Sequence, residues 1–308
     1  MDMKLSGATF RRAASTVTVI GGSGFIGRNL HRALRSVGAR PHVFTRRKPF
    51  AHAGRVHPAV AKSDTIFYVA GSVTPALAER NPELVEEDHW NLNLLLWGLR
   101  ETGHRPLVVL ASSGGTVYDP DAAPPYREDS PTRPVAAYGA AKLAQEHALA
   151  AADWTTPVIL RFANVYGPGQ TASAGYGVIP HWIRAVHARE TLTMIGASRR
   201  DYVHIDDATA ALLAVRAHAD RLRATPGPTT LNIGSGAPTS LDELHRHLER
   251  AVGGPVEVRR EPARSFDRTD TWLDVSAAGA ALGWSPAIGL AEGLAGTLAA
   301  TRHTSMSP

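Results

Sequence analysis

Residues 16–27 of the chain read TVTVIGGSGFIG, and this stretch decides the fold. An apolar strand runs directly into closely spaced glycines, which stand where a backbone must turn tightly and approach a ligand. Free amides at the start of the helix that follows favour an anion such as a pyrophosphate. A plain strand-to-helix turn is the weaker interpretation in this context, so a dinucleotide site is predicted. Its predicted contacts in the loop are Gly21, Gly24, Phe25, Ile26 and Gly27.

Downstream of this loop, short Val/Ile/Leu runs alternate with longer Ala/Leu-rich stretches of helical period. The alternation is typical of a parallel sheet covered by helices, which predicts an α/β fold with a Rossmann-type doubly wound sheet. The predicted strands are 16–20, 41–45, 65–70, 106–112 and 157–162, and the predicted helices are 24–37, 82–102 and 136–152. The chain between residues 45 and 64 is too short for a full helix, strand and helix, so this edge of the sheet is expected to be trimmed.

Gly/Pro-rich loops follow residue 162, and a smaller C-terminal substrate-binding lobe is predicted beyond them. One helix is predicted at 239–252, with Ser240 as N-cap and Glu243 three residues later, and another near 288–301. The expected domain organisation follows from these segments. The dinucleotide-binding domain takes 15–166 plus about 202–236, the lobe takes about 167–201 and 237–301, and 1–14 and 302–308 form flexible termini.

Composition excludes several classes of protein. The 308 residues include no Cys, 44% hydrophobic and 20% charged residues, typical of a globular protein without disulfides, thiolate metal sites or cysteine nucleophiles. No apolar stretch approaches the roughly 20 residues of a membrane span, so we expect a cytoplasmic protein with no membrane partner. The net charge of +5 is spread over scattered basic clusters, which predicts no nucleic-acid partner. None of the 14 His residues pairs with an acid at ligand spacing, so no metal is predicted.

The end of the second predicted strand indicates which dinucleotide binds. An NAD site is expected to carry an acid there, about 20 residues after the glycine loop, to bond the ribose hydroxyls. This chain has Thr45, Arg46 and Arg47 instead. A small hydroxyl followed by guanidiniums accepts a 2′-phosphate, so NADP(H) is the preferred cofactor. NAD(H) stays possible if both arginines stack on adenine or face solvent.

A tyrosine and a lysine form the candidate proton-transfer pair. Tyr138 and Lys142 are four residues apart in a helix-forming stretch, which places them on one helical face. A nearby ammonium and an oxidised nicotinamide would lower the pKa of the phenol from about 10, making Tyr138 usable in proton transfer. Alone this spacing is common on surfaces; the glycine loop and the Ser/Thr-rich strand end at 112–118 make it specific.

The chain resembles the extended short-chain dehydrogenase/reductase family, the NAD(P)-dependent nucleotide-sugar epimerases, dehydratases and reductases. The resemblance runs from about residue 16 to 298. It implies a nucleoside-diphosphate sugar as substrate and often a homodimer joined through the helices near 82–102 and 136–152. The segments that carry it are 21–27, 112–118, 138–142 with Glu146, 160–169, 200–207, 232–236 and 282–286.

The resemblance also implies roles for single residues. Tyr138 would be the catalytic acid/base and Lys142 would hold the nicotinamide ribose, with Ala70 and Gly71 also at the cofactor. Arg200 and Arg264 would clamp the diphosphate, which suits bidentate guanidinium chemistry. The alternatives are an ion pair of Arg200 with Asp201 or Asp206 and a solvated loop position for Arg264. The implied substrate contacts are Asn164, Val178, Arg200, Tyr202, Arg264 and Asp267.

The chain departs from the family pattern at the strand end. Gly114 occupies the position where the family usually places the catalytic Ser or Thr. Thr116 and Ser113 are therefore the candidate catalytic hydroxyls, although Ser113 can also simply cap the strand. Gly115 and Thr116 stand where dehydratases of the family carry an Asp-Glu pair, so dehydration lacks its proton shuttle and is disfavoured.

Three functions remain. The first hypothesis is an NADPH-dependent reductase of a nucleotide-linked 4-keto-6-deoxyhexose, because an NADP-type strand end suits reductive biosynthesis. The alternative is a UDP-sugar 4-epimerase of the UDP-glucose or UDP-N-acetylglucosamine type, since 112–118 and 175–180 closely resemble bacterial UDP-sugar 4-epimerases. The third is a non-catalytic dinucleotide-binding scaffold, against which the retention of both Tyr138 and Lys142 argues.

Overall fold

A computed structural model describes residues 15–172, 177–263 and 270–304. Among these residues, the strands are β1 (Val17–Ile20), β2 (His42–Phe44), β3 (Ala51–His52), β4 (Arg55–Val56), β5 (Thr65–Tyr68), β6 (Leu107–Ser113), β7 (Thr156–Phe162), β8 (Asn164–Tyr166), β9 (Leu192–Ile195), β10 (Arg199–Arg200), β11 (Tyr202–His204), β12 (Thr229–Ile233), β13 (Thr239–Ser240), β14 (Val258–Glu261) and β15 (Asp270–Thr271).

The helices of the same residues come between these strands. They are α1 (Phe25–Ser36), α2 (Pro58–Ala61), α3 (Pro75–Ala78), α4 (Pro82–Arg100), α5 (Ala137–Ala150), α6 (Val178–Ala188), α7 (Ile205–Ala217), α8 (Ala219–Ala224), α9 (Leu241–Val252), α10 (Ser276–Leu282) and α11 (Leu290–Thr304). None of the helices in the described segments is both long and apolar enough to cross a membrane.

A six-stranded sheet of order β12-β7-β6-β5-β1-β2 forms the centre, and every neighbouring pair is parallel. Its inner strands are continuous apolar runs because helices cover both faces. On one face Leu34 of α1 and Leu212 of α7 lie in the same buried cluster as Val19. On the other face, Leu95 of α4 and Leu149 of α5 are buried against the strand side chains that point to that face of the sheet. The predicted doubly wound α/β fold is confirmed.

The edge beyond β2 is trimmed, as the short connection predicts. A two-residue hairpin, β3 with β4, and the single-turn helix α2 take the place of a further strand and helix. β2 is therefore the edge strand of the central sheet, and the turn that follows it lies open to a ligand.

Short strand pairs and α6, α9 and α11 build the C-terminal lobe around a separate apolar core. α9 begins with the predicted capping box of Ser240 and Glu243, which confirms that helix. α10 differs from the predicted division of the chain: it lies in the 237–301 segment, yet its buried face joins the core under α1 and α7. α11 continues to residue 304, into the segment expected to be a flexible terminus, since nothing between 301 and 304 breaks a helix.

Candidate active site

The glycine loop forms a close-fitting cradle at the carboxyl edge of the sheet. Gly21 has φ of 95°, and a Cβ there would stand 2.5 Å from the amide nitrogen of Ala70. A Cβ on Gly27 would meet the carbonyl oxygen of Gly21. The loop, the end of β5 and the start of α1 thus approach at backbone distance. Gly24 caps α1 without a side-chain bond and the first turn holds no acid, so its amides suit the pyrophosphate of a dinucleotide.

Arg28 ties this loop to the loop after β8. Its guanidinium donates to the carbonyl of Ser23 at 2.9 Å and to that of Gly169 at 2.8 Å. Sequence reasoning did not single out Arg28. The available signal was a cation near a helix N-terminus, a position that the helix dipole disfavours unless an anion lies nearby.

The predicted cofactor-selecting residues form a tight turn after β2. Thr45 and Lys48 exchange backbone hydrogen bonds of 2.9 and 3.1 Å, which leaves Arg46 and Arg47 exposed at the tip. The amides of Gly21 and Gly22 donate to the carbonyl of Phe44, the last residue of β2. The basic turn is therefore directly beside the glycine loop, which is where an adenosine ribose phosphate would need it.

Tyr138 and Lys142 lie one turn apart at the start of α5. The Lys142 Nζ is 6.0 Å from the centre of the Tyr138 ring, and it donates to the carbonyl of Ala111 at 3.3 Å and to Gln145 Oε1 at 3.2 Å. Burial lowers the pKa of Lys142, and the negative charges of Asp88 and Glu146 oppose that effect. α5 can lie this close to the strand end because residue 139 is a glycine. A Cβ at that position would collide with the Thr116 carbonyl.

The two candidate hydroxyls have different surroundings. The Thr116 Oγ1 is buried and makes no hydrogen bond within the described parts of the chain. An unsatisfied buried hydroxyl is unfavourable, so Thr116 Oγ1 has hydrogen-bonding capacity that no described residue uses. Ser113 is half-buried at the end of β6, where its carbonyl accepts from the amides of Thr116 and Val117. Both assignments stay predictions, and the unsatisfied oxygen favours Thr116.

Packing explains why residue 114 is a glycine. A Cβ on Gly114 would stand 2.6 Å from Leu273 Cδ1. Leu273 is buried in a small cluster with Val117, Tyr118 and Tyr126. The direction in which a side chain at 114 would point is thus filled by the C-terminal lobe, and a hydroxyl there would face apolar atoms.

A buried ion pair between Arg161 and Glu146 stabilises the end of β6. Arg161 on β7 binds Glu146 on α5 through Nη2 at 2.7 Å and Nε at 3.1 Å, and Ser112 donates to the same carboxylate. The Arg161 guanidinium lies 4.8 Å from the centre of the Tyr118 ring. These contacts join β6, β7 and α5 into one rigid platform for Tyr138 and Lys142.

Asn164, a predicted substrate residue, is bonded to the residue that follows Arg200 in the chain. The amide and the Nδ2 of Asn164 both donate to the carbonyl of Asp201 at 3.0 Å. The Asp201 carboxylate accepts from the amides of Ser235 and Gly236, and burial raises its pKa. Asp201 therefore anchors the lobe strand that carries Arg200 to the end of β12.

The remaining predicted substrate residues lie deeper in the lobe or outside the described residues. Tyr202 is 7% exposed within the lobe core, and burial raises the pKa of its phenol. Val178 begins α6 and packs against the same core. Their substrate roles stay predictions. Arg264 and Asp267 lie outside the described residues.

Asp88 is a second residue that sequence reasoning missed. It is 6% exposed on α4, and both of its carboxylate oxygens accept from the Ser72 amide, at 2.9 and 2.7 Å. A Cβ on Gly71 would lie 3.9 Å from both Asp88 Oδ2 and Lys142 Nζ, so the predicted cofactor residue Gly71 lies beside Lys142. The signal was available: residue 88 shares helical spacing with the buried Leu92, Leu95 and Leu99.

No three His, Cys, Asp or Glu side chains of the described residues form a group that could hold a metal ion. The described residues instead offer a dinucleotide cradle, a Tyr/Lys pair and a buried hydroxyl without a hydrogen bond.

Comparisons with known proteins identify the family and the fold. The family model for the NAD dependent epimerase/dehydratase family matches residues 17–234. A UDP-glucose 4-epimerase of Mycolicibacterium smegmatis is 37% identical over 64% of this chain, a match that spans 63% of that relative's length. A dTDP-6-deoxy-L-talose 4-dehydrogenase (NAD(P)(+)) of Kitasatospora kifunensis is 30% identical over 89% of this chain and 92% of the relative. The structure of MoeE5 with UDP-glucuronic acid and NAD superposes with a TM-score of 0.83 at 27% identity, covering 94% of this chain and 99% of MoeE5.

Proposed function

Because this chain belongs to the NAD dependent epimerase/dehydratase family of extended short-chain dehydrogenases/reductases, we propose that it reduces a nucleotide-linked 4-keto-6-deoxyhexose with NADPH. The observation that carries the proposal is the basic turn of Arg46 and Arg47 beside the glycine loop. A reductase draws on a reducing cofactor, and the 2′-phosphate of NADPH matches two guanidiniums. Similarity over nearly the full length to a 4-dehydrogenase described as NAD(P)(+)-dependent supports the same reaction class.

Each residue of the site has a role in this proposal. The nicotinamide, when bound, supplies the electron pair and hydrogen that carbon 4 accepts. The cradle of Gly21–Gly27 and Lys142 hold the cofactor. The Tyr138 hydroxyl gives its proton to the carbonyl oxygen as that oxygen becomes an alcohol, and Thr116 donates a hydrogen bond to the same atom. Arg200 and Asn164 hold the substrate from the lobe side.

The second candidate function is a UDP-sugar 4-epimerase. It is favoured by the 37% identity to a UDP-glucose 4-epimerase. The same Tyr138 would then take a proton from the 4-hydroxyl and return it after the sugar turns over. The two functions share the fold and the proton-transfer group and differ in whether reducing equivalents are consumed.

We also propose a homodimer formed through α4 and α5. Trp90 and Trp97 of α4 are 58% and 51% exposed. Their rings pack edge to face, with ring centres 5.5 Å apart. Exposed indole rings beside a groove lined by α4 and by Ala141 and Ala144 of α5 are typical of a protein interface.

The protein is expected to bind NADP(H) at least tenfold more tightly than NAD(H). One charge-assisted hydrogen bond to the 2′-phosphate contributes about 1.5–3 kcal/mol, which corresponds to roughly tenfold or more. Calorimetric titration of both cofactors measures the preference. The double substitution Arg46→Ala and Arg47→Ala should abolish it. Arg40→Ala, at the opposite end of β2, is the matched control. Equal or tighter binding of NAD(H) would refute the preference and favour the epimerase.

Arg200→Ala is expected to weaken binding of the bare nucleoside diphosphate and of the nucleotide sugar alike. A partly desolvated guanidinium–phosphate contact contributes about 2 kcal/mol, which is roughly thirtyfold in Kd. Calorimetry with UDP and with dTDP measures the effect. Arg184→Ala, an exposed arginine of the same lobe, is the control and should change little. Unchanged diphosphate affinity in Arg200→Ala would remove Arg200 from the site.

The substrate class is tested with a panel of UDP- and dTDP-linked sugars and 4-ketosugars, each offered with NADPH and with NADH. Mass spectrometry identifies the product and absorbance follows the nicotinamide. We expect turnover with 4-ketosugars and NADPH. Turnover of no nucleotide sugar under any condition would support the non-catalytic scaffold.

A further inference from the structure

Lys142 is a buried cation whose hydrogen bonds do not balance its charge. It is 8% exposed, and its ammonium donates to the Ala111 carbonyl and to the side-chain oxygen of Gln145. Both acceptors are neutral. Burial penalises the charged form of an amine, so an ammonium at this position needs a carboxylate nearby.

Two carboxylates lie close enough to act, and they differ in their other partners. Glu146, one turn after Lys142, is held in two-pronged contact with Arg161 and also accepts from Ser112. Its negative charge is therefore matched by a guanidinium. Asp88 accepts instead from the uncharged amide of Ser72, so its charge remains to balance Lys142.

The backbone between Asp88 and Lys142 holds the two groups in a fixed relation. A Cβ on Gly71 would lie 3.9 Å from both Asp88 Oδ2 and Lys142 Nζ, which puts these two atoms within about 8 Å of each other. Gln145 links them from the other side: it accepts from Lys142 and donates through Nε2 to the Asp88 carbonyl at 3.3 Å. α4, α5 and the loop after β5 meet at this point.

We propose that Asp88 is a positioning residue of this site, whose carboxylate is the counter-charge of Lys142 and which fixes the Gly71–Ser72 loop against it. In the proposed function Lys142 holds the cofactor ribose and assists Tyr138, and the role of Asp88 in turnover rests on that function. Its effect on the charge of Lys142 does not.

Several other ionisable groups surround the pair and set the sign of the expected effect. Glu146 and Tyr138 face Lys142 from α5, Arg161 from β7 is bound to Glu146, and Glu79 accepts from the amide at the start of α5. On β5, burial first and then the charge of Asp88 raise the pKa of Tyr68. A negative charge favours the protonated form of its neighbours. Removing one from such a coupled set therefore lowers the pH at which the set loses its first proton.

The direct test measures the titration of Lys142 by NMR. The only lysines of the chain are Lys4, Lys48, Lys62 and Lys142, so protein labelled with ¹³C at lysine Cε gives few signals. Lys142→Arg assigns the signal of Lys142. Asp88→Asn, which keeps an oxygen for the Ser72 amide, should lower the pKa of Lys142 by on the order of one pH unit.

Three further variants make the result specific. Asp88→Glu keeps the charge and should hold the wild-type value within about half a unit, and Glu101→Gln removes an exposed carboxylate at the end of the same helix and should change nothing. Asp88→Ser is the second neutral variant if Asp88→Asn does not fold. A Lys142 pKa that is unchanged in the folded neutral variants would overturn the proposal.

The pH–rate profile of the wild type and Asp88→Asn provides the second measurement. The profile should also move to lower pH in Asp88→Asn, because one negative charge is removed from the coupled set. Wild-type protein that turns over no nucleotide sugar would refute the proposed function and leave the NMR result as the test of Asp88. Turnover with an unmoved profile and an unmoved Lys142 signal would refute the role of Asp88 alone.

Discussion

Tyr138→Phe is expected to lower kcat by about 10²–10⁴-fold while leaving cofactor and substrate affinity nearly unchanged. The substitution removes a single oxygen from the first turn of α5, one turn from Lys142, and keeps the aromatic ring. Proton donation to the forming alcohol then falls to water, which is neither positioned nor matched in acidity. The effect should therefore appear in kcat rather than in KM.

Steady-state kinetics and calorimetry on the same preparation separate these quantities. The Tyr138→Phe protein should bind the cofactor and the nucleoside diphosphate as the wild type does. A loss of less than tenfold in kcat would sink the assignment of Tyr138 as the proton-transfer group, since a positioned acid contributes at least a hundredfold.

The central sheet was predictable because its strands are read locally. β1, β5 and β7 are rich in apolar residues and buried along their whole length, and each begins and ends within two residues of its predicted bounds. The capping box of α9 is also a local signal, since Ser240 and Glu243 bond to each other's backbone. Such features need no knowledge of distant parts of the chain.

Four helices after residue 162 were not predicted, α6, α7, α8 and α10, and the two longest of them have unusual start signals. α7 is capped by His204, whose ring accepts from the Asp206 amide, rather than by Ser, Thr, Asp or Asn. α6 begins after Gly177, which offers no side chain. The apolar face of α7 is also nearly continuous with alanines, which obscures its helical periodicity.

The parts of the site that escaped prediction depend on contacts across the fold. Gly114 is explained only by Leu273, which comes from the far end of the chain. The helical spacing of residue 88 indicates that it is buried, but its contacts with the loop after β5 and with α5 depend on the fold. The glycine loop and the Tyr138/Lys142 pair could be found from spacing because each is contained in one short segment.

Net reduction is the other prediction of large effect, and it separates the two candidate functions without ambiguity. A reductase has no use for a substrate that is already an alcohol at carbon 4 unless oxidised cofactor is supplied. An epimerase returns the electrons it removes and leaves the cofactor pool unchanged. With UDP-glucose or UDP-N-acetylglucosamine and no added reductant, this protein is therefore expected to produce no epimer.

The most direct measurement is the number of NADPH molecules oxidised per molecule of product formed from a UDP- or dTDP-linked 4-keto-6-deoxyhexose. Absorbance gives the cofactor consumed, and mass spectrometry gives the product, which should be heavier than the substrate by two hydrogens. We expect one NADPH per product, with no such turnover in Tyr138→Phe. Interconversion of gluco and galacto sugars with catalytic cofactor, together with no consumption of NADPH on the ketosugar, would contradict the reductase and establish the epimerase in its place.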